Sequence, residues 1–115
     1  MNQVLLTADD LLAGADATFE VVVPPGLLPA GKNAGSNGVD QDPVVRIRPL
    51  TIGTFQLIMK AAKNDPGMIP LLMIKESLVE PALSLDQAKR LPLGLIEFLI
   101  ENIREISGLT KKKSL

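Results

Sequence analysis

Cysteine, histidine, tryptophan and tyrosine are all absent from the 115 residues of this chain. Without cysteine there is no disulfide and no thiol chemistry, and without cysteine and histidine the usual zinc ligands are gone. The lack of histidine also removes Ser-His-Asp and Cys-His catalysis, together with the imidazole that serves as a base near pH 7. Aromatic residues amount to three phenylalanines, too few to build a stacking platform for single-stranded nucleic acid. Neither sign of charge dominates: the formal net charge is −1, which gives no overall field to draw in nucleic acid or anionic lipid. Long apolar runs are missing too, since the densest, residues 68–74, falls well short of the roughly 20 residues that span a bilayer. The first 17 residues are expected not to be a signal peptide, because no basic segment leads them and Asp9, Asp10 and Asp16 interrupt any apolar run. The expectation is a protein with no membrane span, no nucleic-acid partner and no cofactor, in a cytoplasmic setting or inside an assembled particle.

What is present suffices for a folded domain. Hydrophobic residues make up 46% of the chain, rich in Leu, Ile and Val, which favours a folded protein over a disordered one. The length suits one domain with a modest core. Residues 44–64, VVRIRPLTIGTFQLIMKAAKN, are the pivot. Val45 and Ile47 alternate with Arg46 and Arg48, as in a strand with one buried and one wet face. Pro49 ends that ladder. Thr51 then caps a helix whose apolar positions Ile52, Phe55, Ile58 and Met59 recur at helical spacing.

Read in order, the chain opens with an arm, residues 1–17, in which Thr7 caps a short helix that Gly14 stops. A β-hairpin follows over residues 18–49, its first strand FEVVV at residues 19–23. Its tip is a long Gly/Pro/Asn loop over residues 24–43. A helical bundle occupies residues 50–109. Its second helix runs over residues 69–79 and is apolar nearly all round, so it is expected to be the most buried element. The third begins at Ser84, with Gln87 placed for a capping box. The fourth follows Pro92, carries Ile96, Leu99, Ile100, Ile103 and Ile106 on one stripe, and stops at Gly108. Residues 110–115 form a basic tail. The expected fold is α+β, a two-stranded hairpin with about four short helices, and Phe55, Ile58, Leu72, Leu78, Leu99 and Ile103 in the core.

Candidate sites are few. Gly26, Gly31 and Lys32 nearly spell a phosphate-binding loop, but Asn33 stands where Ser or Thr would meet magnesium. The residues after it cannot open a helix. Asp40 and Asp42 lack the further oxygen ligands of a calcium loop. Glu97, Glu101 and Glu105 lie opposite the apolar stripe, on a face that reads as solvated. Lys111, Lys112 and Lys113 read as a solvated tail. No catalytic residue, cofactor or metal site emerges. The partner-binding candidates are Leu27 and Leu28, held between prolines in the loop, and Arg46 and Arg48, whose guanidinium forks suit carboxylates. The stripe on the last helix is a second candidate surface, since short helices offer more apolar faces than one core absorbs.

The phrases VRIRPLTIGTFQLIMKAA and LLMIKESLVEPALSLDQAKRLPLGLIEFLIENIREISGL, within residues 44–109, resemble the tail assembly chaperones of tailed bacteriophages and related contractile injection systems. Those proteins similarly join a small β element to a helical bundle, with a leucine-rich helix ending in Val-Glu-Pro and a last helix closing on Ser-Gly-Leu. The resemblance implies a non-catalytic assembly factor that binds tape-measure and tail-tube proteins in the host cytoplasm. A small structural component of a baseplate, staying in the particle, is the alternative. Either reading is compatible with a homo-oligomer.

Overall fold

The computed structural model describes residues 3–28 and 42–109. Helix α1 (Ala8–Leu12) and a 3-10 turn (Ala13–Asp16) form the arm. Strands β1 (Phe19–Val22) and β2 (Val44–Ile47) pair antiparallel as the expected hairpin. Helices α2 (Ile52–Ala61) and α3 (Met68–Ser77) follow, then strand β3 (Leu78–Glu80), and helices α4 (Leu85–Lys89) and α5 (Leu93–Ile106). Among the described residues the fold is α+β: five helices and a three-stranded antiparallel sheet in the order β1-β2-β3.

The third strand corrects the expectation of a two-stranded hairpin. An uninterrupted apolar run does not distinguish helix from strand, so residues 69–79 read as one helix. The helix ends two residues sooner, at Ser77, and Leu78–Glu80 pairs with β2. Pro81 favours this ending, because a residue before proline is pushed out of the helical region into extended backbone. Three residues are too few to display a period.

The helical ends follow local chemistry. Thr7 N–H donates to Asp10 Oδ2 at 2.9 Å while Asp10 N–H donates to Thr7 Oγ1 at 3.2 Å, a reciprocal capping box on α1. Ser84 and Gln87 close the expected box on α4 in the same way. At the end of α5, Gly108 takes φ +76, the left-handed conformation that glycine adopts without steric cost. Its N–H reaches Glu105 O at 3.2 Å, and Leu109 N–H reaches Arg104 O at 2.8 Å, completing a Schellman stop.

Helix α3 is the centre, lying against α2, α4 and α5. Its Met73, Ile74 and Ser77 are buried, more than any other helix supplies. They join Ile47, Ile58, Leu78, Leu99 and Ile103 in one core beneath the sheet. Of the expected core residues, Ile58, Leu78, Leu99 and Ile103 are buried and Leu72 packs against them half-buried. Phe55 is a correction, being half-buried over Leu50, Ile52 and Leu109 beside the core. Ile52 and Met59, at helical spacing on α2, are both exposed, because α2 packs mainly on α3 and buries a narrow line through Ile58 and Ala62.

Two measurements check this packing. Ile103→Ala and Leu99→Ala are each expected to lower stability by about 2–5 kcal/mol in denaturant unfolding, and Gly108→Ala by about 1–2 kcal/mol. The Asp10 carboxyl is held below the usual aspartate range, first by the Thr7 backbone N–H and then by the Thr7 side chain. A depressed folded value means that the contribution of Asp10 is present above the unfolded aspartate pKa and is lost as pH falls through the folded one. NMR titration is expected to show α1 losing helical shifts in that acidic window, and Thr7→Ala to move the Asp10 midpoint upwards.

Candidate functional site

Arg46 sits at the middle of the outward face of the sheet. Register places it opposite Glu20 on β1 and Glu80 on β3. Its Nη2 reaches Glu20 Oε2 at 2.9 Å and its Nε the same oxygen at 3.2 Å, while Nη1 reaches Glu80 Oε1 at 3.2 Å. The guanidinium is therefore held even more firmly protonated than usual, mainly by the hydrogen bond to Glu20, then by the charges of Glu20 and Glu80. Arg46 thus bridges three strands within its own chain. Glu20 did not stand out in the sequence, and Pro81 directly after Val-Glu is the local signal for extended backbone at Glu80.

Arg48 lies just past β2 and serves a different junction. Its Nε donates to the Glu76 carbonyl at 3.0 Å, and its backbone N–H donates to the Ser77 carbonyl at 2.9 Å. The Ser77 hydroxyl donates in return to the Arg48 carbonyl. Ser77 is completely buried, and these bonds satisfy it where sheet meets helix. Sequence reading passed over this serine, which looks like the end of a helix.

Leu27 and Leu28 also face inward. Residues Pro25–Leu27 form a 3-10 turn rather than irregular loop, and both leucines are half-buried. Leu27 Cδ2 lies 3.2 Å from where a Cβ on Gly94 would stand, a close approach that glycine permits. Leu28 lines an apolar cavity of about 210 Å³ together with Val23, Val45, Leu78, Leu95 and Leu99. The four partner-binding candidates are therefore split: Leu27 and Leu28 pack on the bundle from one side, and Arg46 and Arg48 tie strands and helix on the other. Lys32, Asp40, most of the loop and Lys111–Lys113 lie outside the described residues.

A separate concavity lies between α3 and α5. It is about 500 Å³ in volume and is walled by Pro70, Ile96 and Ile100, with Glu97, Glu101 and Arg104 at its rim. The last-helix stripe divides here: Leu99 and Ile103 turn into the core, whereas Ile96 and Ile100 remain half-buried along the groove. Glu105 is exposed beside Glu101. Among the described residues no three acidic side chains gather closely enough to hold a metal ion, and no helix is long and apolar enough to cross a membrane.

In comparisons with known proteins, no family model, curated protein or solved structure matches the chain.

The Ser77 junction yields a stability test. Ser77→Ala is expected to cost about 1–3 kcal/mol because the Arg48 carbonyl loses its hydroxyl partner, and Ser77→Val more than that through added overpacking, both read by denaturant unfolding.

Proposed function

We propose that this protein is a non-catalytic assembly factor of a phage-type tail, a chaperone that binds tape-measure and tail-tube proteins through the groove between α3 and α5. The observation that carries the reading is that groove. Ile96 and Ile100 recur one helical turn apart with Pro70 facing them, and charged residues border them. An apolar strip of that spacing suits one face of an amphipathic helix, with basic residues of the guest meeting Glu97 and Glu101. The phrases that resemble tail assembly chaperones supply β3, α2, α4, α5 and most of β2 and α3, so the resemblance covers every groove residue except Pro70.

The groove is preferred to Leu27, Leu28, Arg46 and Arg48 as the contact surface, because those four side chains are engaged within the chain. A structural role in a baseplate or adaptor is the alternative, and it uses the same surface for a permanent neighbour.

Co-expression with the tape-measure and tail-tube proteins of the same cluster tests the reading. Ile96→Ser combined with Ile100→Ser is expected to weaken capture at least about tenfold, since each half-buried isoleucine contributes on the order of 1 kcal/mol or more when covered. Equal capture by that variant would remove the groove from the interaction. Mass spectrometry of purified tails separates the two roles: a chaperone is absent from finished particles, and a baseplate component is present at fixed copy number.

A further inference from the structure

Two unpartnered surfaces on this molecule complement each other. The first is the arm. Val4, Leu5, Leu6, Leu11 and Leu12 are between 62% and 83% exposed, and neither α1 nor the 3-10 turn after it contains a buried residue. Residues 3–28 carry Asp9, Asp10, Asp16 and Glu20 and no lysine or arginine. The second is the outer face of α2, where Ile52 is 71% exposed, Leu57 67% and Met59 44%. Lys60 and Lys63 are exposed with them, and residues 47–64 contain no acid.

The layouts correspond as well as the signs. Along the arm, apolar residues 4–6 and leucines 11–12 flank the aspartates at 9 and 10. Around α2, helical geometry places Ile52 and Met59 on one shoulder and Leu57 on the other, with Lys60 between them. We infer that the arm of one copy lies across the outer face of α2 of a second copy, and that the exchange is reciprocal. Such a contact is isologous, so one arm and one helix face per chain close a two-fold dimer. The second copy is favoured over the arm's own chain because within one chain the arm remains exposed. This contact shares no residue with the groove between α3 and α5 and does not rest on the assembly role.

Both charge clusters have a local alternative: acids suit the start of α1 and Lys60 the end of α2, through the helix dipole. A charge-exchange experiment on the full chain distinguishes the two. One variant carries Asp9→Lys and Asp16→Lys, leaving Asp10 to close its capping box. The other carries Lys60→Glu and Lys63→Glu. Sedimentation equilibrium is expected to show a parent dimer and, for each variant alone, a dissociation constant raised at least about tenfold. Mixed in equal amounts, the two are expected to form a heterodimer, since the basic arm of one meets the acidic helix of the other and the untouched pair is wild type. Leu11→Ser in the parent is expected to weaken association without altering the circular dichroism of the bundle. A monomeric parent, association unmoved by either reversed pair, or a mixture no tighter than its components would overturn the inference. Lys63→Glu alone, outside the helix, repeats the test where the double reversal disturbs α2.

Discussion

The junction between Arg48 and Ser77 is the constraint on which the rest of the structure depends. Two chain crossings meet there: β2 leaves the sheet towards α2, and α3 ends and becomes β3. The backbone N–H of Arg48 bonds the Ser77 carbonyl, and the Ser77 hydroxyl bonds the Arg48 carbonyl. Ile47 and Ser77 are both fully buried at this point. A buried backbone carbonyl without a partner is costly, so the small hydroxyl-bearing residue is what lets helix and strand come this close. If α3 continued for another turn, Leu78 and Glu80 would leave β2, and with them one of the two carboxylates that Arg46 holds.

From that junction the sheet acquires its two different faces. Val21, Val45, Ile47 and Leu78 turn towards the helices, whereas Glu20, Arg46 and Glu80 line the other side in a row. An antiparallel sheet tolerates water on one face, and a central arginine between two glutamates suits that face. The four bundle helices then share a single buried layer centred on α3. Four short helices around one such layer cannot all bury their apolar residues, which is why Ile96 and Ile100 stay half-covered and Ile52, Leu57 and Met59 face outwards.

Much of this was legible in the residues because the chemistry that decides it is local. Thr7, Ser84 and Gly108 mark helix ends through their own side chains or backbone freedom, and the alternation at Val45 and Ile47 marks a strand with one wet face. What could not be read was which neighbour each surface meets. Arg46 and Arg48 look alike in sequence, yet one lies between two strands and the other caps a junction, and only the pairing of β3 separates them. Leu27 and Leu28 sit in a loop by composition, and nothing nearby in sequence shows that Gly94 leaves room for one of them. The stripe on α5 was legible as a stripe, but its division into core and groove depends on how closely α3 packs.

The outer face of α2 and the groove differ in what surrounds them, and that difference bears on what each can accept. The α2 face is bordered by lysines, and the chain itself supplies an acidic apolar segment of matching layout. The groove on α3 and α5 has Glu97 and Glu101 at its rim against the single cation Arg104, so the balance there disfavours an acidic arm and favours a basic-flanked guest. On the two contacts proposed above, electrostatics would sort the same hydrophobic attraction into sites that do not compete. The inferred self-association through α2 would leave the groove open, and a dimer with reciprocal arms would present two such grooves at once. Two grooves on one such dimer would raise the effective concentration of the second for a guest with repeated helical segments, so modest single-site affinity would be enough to hold it.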